Sequence, residues 1–131
     1  MSPAYHIATD DGLITLQAGG ELDLVEIRRL VESVLAAEDY DSNLPLLIDL
    51  RDLRVSLEPE PTGEVSAYII EHFRGRRGSM AVVVDGEMNR KLTAAIYWLA
   101  CAVGNAEVFD DYDQALKWLI RREFAGTAAT G

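Results

Sequence analysis

Apolar residues along this chain change period several times, and each change marks an element. Residues 5–9 read as a strand. In residues 13–18, Leu13, Thr15 and Gln17 alternate with Ile14, Leu16 and Ala18, the period-2 pattern of a half-buried strand. Asp10-Asp11-Gly12 between them is turn chemistry, so a β-hairpin opens the chain, and Gly19-Gly20 is expected to end its second strand. The period then lengthens. Leu24, Ile27, Val31, Val34 and Leu35 recur at helical spacing over residues 24–37. Asp23 and Glu26 are placed to form a capping box at the start of that helix.

Further along, the apolar runs become continuous. Leu46-Leu47-Ile48-Asp49-Leu50 and Met80-Ala81-Val82-Val83-Val84 predict strands covered on both faces, as in a parallel sheet. Between them, residues 51–61 read as a polar connection, and a short helix spans 64–73 with Thr62 as its cap. A long helix is expected over 87–103, stopped by Gly104-Asn105, and a short strand over 107–109. Asp111 and Gln114 open a last helix that turns Ala115, Leu116, Leu119 and Ile120 inward. The order β-β-α-β-α-β-α-β-α predicts a single α/β domain over residues 1–125. Its mixed, mostly parallel sheet carries about four helices, and residues 126–131 form a flexible tail.

Size and composition fit that picture. The chain has 131 residues, 49% of them hydrophobic and 26% charged, enough to bury a core in one domain. The longest apolar stretch, residues 92–103, is too short to span a bilayer, which takes about 20 residues, and no signal-like segment opens the chain. The single cysteine, Cys101, excludes an internal disulfide. A reducing, cytoplasmic setting is the expectation.

Charge excludes more than it suggests. The 22 acidic side chains outnumber the 12 basic ones, for a net charge of −10, which opposes nucleic acid and anionic membrane surfaces. The exception is residues 74–91, where Arg74, Arg76, Arg77, Arg90 and Lys91 face only Asp85 and Glu87. These arginines either cap helix ends and pair with neighbouring carboxylates, or form a site for an anion or an acidic partner.

Catalytic patterns do not assemble. Asp39 to Asn43 imitates the start of a calcium loop, but Leu44 and Leu50 stand where glycine and glutamate are needed. Asp110, Asp111 and Asp113 suit a helix start. His6 and His72 have no metal partner nearby in sequence, and Ser66 and Ser79 lack the strained elbow of a nucleophile. No phosphate loop or dinucleotide fingerprint is present. The expectation is a protein that is not an enzyme and needs no cofactor or metal.

The long helix carries two apolar stripes. Leu92, Ala95, Ile96, Leu99 and Val103 form one; Ala94, Tyr97, Trp98 and Cys101 form the other, with Met88 near its start. A helix on a sheet needs only one stripe. The second faces another helix of the chain, another subunit or a ligand cavity.

With these elements placed, several segments match a known family in order and spacing. They are Asp11-Gly12-Leu13-Ile14, Gly20-Glu21-Leu22, Leu46 through Leu53, Met80 through Asp85, and Val108-Phe109 with Ala115 through Leu119. In them the chain resembles the STAS superfamily of sulfate transporters and anti-sigma-factor antagonists, and more closely its sporulation anti-anti-sigma-factor-like branch, whose fold is related to CRAL-TRIO lipid-transfer domains. The resemblance implies a small binding module whose partner is a protein, either a second copy or a different chain. In phosphorylatable members a serine at a helix start is modified, and here Thr62-Gly63 stands in that place between Glu60 and Glu64. The alternative is a carrier or sensor of a small apolar or amphipathic anionic ligand. Phe73, Met88, Tyr97 and Trp98 would line its cavity, and Arg74, Arg76 or Arg77 would meet the head group.

Overall fold

The computed structural model describes the backbone of residues 4–38, 40–55, 64–87 and 90–130. Thr62 and Met88 lie outside these described residues. Five strands form one sheet in the order β1-β2-β3-β4-β5: β1 (Ala4–Asp10), β2 (Leu13–Leu22), β3 (Leu46–Val55), β4 (Met80–Val83) and β5 (Ala106–Phe109). β1 and β2 are antiparallel and the remaining pairs are parallel, as the sequence predicts. Asp11 and Gly12 turn the hairpin with φ of 52° and 77°, the two positive values a type I′ turn requires.

The described residues form four helices, of which the first three join strands and the last follows β5: α1 (Leu24–Ala36), α2 (Glu64–Phe73), α3 (Arg90–Val103) and α4 (Tyr112–Thr130). Strand order equals chain order. Right-handed crossovers that all step the same way must therefore leave their helices on one side of the sheet. α1, α2 and α3 accordingly pack against Ile14, Leu16, Leu46, Met80 and Val82, while α4 packs on the other face against Leu47, Ala81 and Val83 through Ala115 and Leu119. Among the described residues no helix is long and apolar enough to cross a membrane.

The starts of α1 and α4 follow the sequence. The Asp23 carboxylate accepts from the Glu26 amide at 2.8 Å, and the Asp23 amide donates back to Glu26 at 3.2 Å. Asp111 accepts from the Gln114 amide at 3.1 Å. Gly104, with φ of 100°, closes α3 by donating to the Ala100 carbonyl at 3.1 Å.

Three expectations are corrected. Gly19-Gly20 does not end β2, which continues to Leu22. Gly20 takes φ of 97°, and pairing with β3 resumes beyond a register shift between Gln17 and Gly19. The extra residue of the bulge lies on β3, between Asp49 and Asp52, and Gly19 and Gly20 pair with Asp52 and Leu53 on the resumed ladder. β3 likewise runs to Val55 through residues read as a polar connection, because the longer β2 offers it an edge. Ile120 points outward at 45% exposure; Trp118 packs on Phe109 instead, at 5.7 Å between ring centroids. α4 is helical from Tyr112 to Thr130.

Candidate functional site

α3 divides its side chains between two environments. Leu92, Ile96, Ala100 and Val103 are buried beneath it. Ala94, Tyr97, Trp98 and Cys101 are exposed, at positions i, i+3, i+4 and i+7, so they lie along one face of the helix. Tyr97 is 49% and Trp98 58% exposed. Among the described residues no neighbouring helix buries them and no cavity takes them in, and the outer stripe stands largely in solvent with Arg90 and Lys91 at its N-terminal end.

The cavity expected beneath Tyr97 and Trp98 is elsewhere. An apolar pocket of about 160 Å³, partly open at its mouth, lies between the sheet and α1–α3, bounded by Leu30, Val34, Leu53, Ile69 and Ile96 among others. Of the residues expected to line a cavity, Phe73 does so and Tyr97 and Trp98 do not. Phe73 is buried, its ring edge-on to Tyr40 at 6.3 Å. The opposite face of the sheet, under α4, has Leu47, Ala81, Val83, Ala115 and Leu119 all within 1% of full burial.

The arginines do not form one anion site. Arg74, Arg76 and Arg77 precede β4, whereas Arg90 opens α3 beyond its far end. Arg76, expected to meet an anion, is only 6% exposed. Its guanidinium donates to the carbonyls of Gly78 at 3.0 Å, Asp41 at 3.2 Å and Leu44 at 2.8 Å, and to the Tyr40 hydroxyl at 3.3 Å. The Arg77 and Gly78 amides both donate to Ser42 O, at 2.9 and 3.1 Å. Arg76 therefore clasps the turn before β3 to the turn before β4, and its donors are committed to the fold. Arg74 and Arg77 are exposed.

Nearby, Ser79 donates to Asn105 at 3.2 Å and accepts from Arg122 Nε at 3.1 Å. Arg122 also donates to Asn105 Oδ1 at 3.1 Å. His72 is exposed, stacks on Tyr68 at 4.1 Å between centroids and bonds the Tyr68 carbonyl. Ser79 and His72 thus hold separate structural positions. Among the described residues no group of three or more His, Cys, Asp or Glu side chains gathers to hold a metal.

One polar pair was not anticipated. Asp49 on β3, its side chain 10% exposed, accepts from Arg51 Nε at 2.9 Å and Nη2 at 2.8 Å, and from the Arg51 amide at 3.1 Å. The pair sits where the β2–β3 register slips between the pairs Gln17–Asp49 and Gly19–Asp52. The Arg51 guanidinium lies 5.3 Å over the Tyr112 ring. Hydrogen bonding from Arg51 holds the Asp49 carboxyl below the ordinary aspartate range despite burial, and the same contact raises the Arg51 pKa. The signal in the sequence was an acid and a base two residues apart inside an apolar run.

A family model described as SpoIIAA-like matches residues 13–120. Two solved structures share the fold, each covering 90% of this chain and 94% of its own. An anti-sigma factor antagonist from Mycobacterium paratuberculosis aligns with a TM-score of 0.62 at 21% identity. An uncharacterized protein of the DUF3478 family from Shewanella loihica PV-4, which has a SpoIIAA-like fold, aligns with a TM-score of 0.52 at 23% identity. No curated protein matches the chain.

Proposed function

Because the chain belongs to the SpoIIAA-like family, we propose that it is a small non-catalytic regulatory module acting through protein–protein contact, with the outer stripe of α3 as its binding face. The observation that carries this reading is the exposure of Tyr97 and Trp98 side by side with Ala94 and Cys101 on one helix. Aromatic side chains bring large apolar area at low conformational cost and dominate interface energetics. Burial inside the chain gives these two no role, since the buried stripe of α3 already covers the sheet. The fold shared with an anti-sigma factor antagonist adds support for a regulatory protein partner.

The first partner to test is a second copy of the chain. Native mass spectrometry of the wild type and of Trp98→Glu reads this directly: a dimer mass that the substitution converts to monomer supports the stripe as a self-interface. A wild-type monomer directs the stripe to a different protein, which a photo-crosslinking residue at position 98 captures covalently in cells. Equal crosslinking yield from exposed Glu71 on α2, or a dimer that Trp98→Glu leaves intact, would sink the assignment of α3.

A further inference from the structure

We infer that the cavity between the sheet and α1–α3 is a binding site for a small, uncharged hydrocarbon of roughly benzene size. This inference stands apart from the protein-contact reading. Three observations carry it. The pocket, partly open at its mouth, measures about 160 Å³, close in size to the roughly 150 Å³ of apolar cavities that take benzene or xenon. The described residues that line it contribute apolar side chains, among them Val31, Leu50, Ile69, Leu99 and Ala100, so water there gains no hydrogen bond from these walls. The space is also one-sided: the same sheet is tightly filled beneath α4, which sets it apart from general loose packing.

The lining also decides the chemistry of the guest. An amphipathic anion would need a donor at the wall, and the described residues that line the pocket offer none. Arg76, the buried arginine of the preceding turn, already donates to Gly78, Asp41, Leu44 and Tyr40. The guest is therefore apolar throughout. α3 is the shared wall, with Ile96, Leu99 and Ala100 facing the guest and Tyr97 and Trp98 facing outward.

The test uses benzene as the probe, followed by methyl NMR and thermal melting. Saturable shifts at the methyls of Val31, Ile69 and Leu99 are expected, with a rise in Tm on the order of 5 °C at about ten times the dissociation constant. Ala100→Leu, which fills the space from α3, should abolish both effects. Leu30→Phe, which fills it from α1, provides the same control should the first variant fold poorly. Benzoate should give no saturable shifts at the same methyls. Absence of saturable benzene binding would mark the void as a packing defect and overturn the inference, as would undiminished binding in both filled variants. Benzoate binding more tightly than benzene would overturn its apolar character.

Discussion

Asp49 and Arg51 form a bidentate ion pair at 2.8 and 2.9 Å where β3 departs from its register with β2. The carboxyl is held below its ordinary pKa, chiefly by the Arg51 hydrogen bonds. A depressed carboxyl contributes stability that is present above the unfolded-state value, near 3.9 for aspartate, and is lost as pH falls through the folded value. Asp49→Asn is therefore expected to cost about 1–2 kcal/mol at neutral pH. Its deficit relative to the wild type should hold above about pH 5 and shrink below about pH 4. Urea midpoints measured across that range check both the size and the sign.

Arg76 is expected to behave unlike its neighbours. Truncation to alanine leaves three carbonyls and the Tyr40 hydroxyl without their donor, for a loss of about 3 kcal/mol. Arg74→Ala and Arg77→Ala, at exposed positions, should stay within about 0.5 kcal/mol of the wild type. Chemical denaturation of the three variants distinguishes a structural clasp from a surface charge cluster.

Two glycines should respond to alanine for different reasons. A Cβ at Gly78 would collide with the Leu44 carbonyl group and crowd the Pro45 nitrogen, inside the turn–turn contact that Arg76 holds. Gly20 has open space around it but takes φ of 97°. Gly20→Ala is expected to cost about 1 kcal/mol from backbone strain alone. Gly78→Ala should cost about 3 kcal/mol, because packed backbone must move. Thermal melts of the pair give the ranking.

The two faces of the sheet should differ in their tolerance of truncation. Leu119, 1% exposed beneath α4, has neighbours on all sides, and Leu119→Ala is expected to cost about 4 kcal/mol. Leu30 on α1 already borders the void, so Leu30→Ala removes fewer contacts and should cost about 2 kcal/mol. Equal losses in urea titration would show the helical layer of α1–α3 to be as well packed as α4.

The sequence was most legible where a signal is local. The Asp23–Glu26 capping box, the Asp11-Gly12 turn and the stop at Gly104 each depend on a few adjacent residues, and each is in place. The alternating environments of Met80, Ala81, Val82 and Val83 follow from a strand buried on both faces. It was least legible where the outcome depends on a distant segment. Gly20 could be read as a stop because the β3 edge that carries β2 past it lies thirty residues away in sequence. Arg76 looked like a surface cation because the carbonyls that bury it belong to another turn. The two stripes of α3 were visible from their spacing. Which of them met empty space depended on how closely three helices approach the sheet, and no residue type encodes that distance.

The coincidence of strand order with chain order has a consequence for how the molecule is made. From β2 onward, each strand joins the edge left by the one before it, across a single connecting helix. The sheet can thus grow outward as the polypeptide emerges from the ribosome, without waiting for a later segment to wedge between strands already joined. Vectorial assembly of this kind keeps loop-closure entropy small at every step and leaves one growing margin at a time open to misassociation. Only α4 must await completion of the strands it covers, so the tightly filled side of the sheet is sealed last.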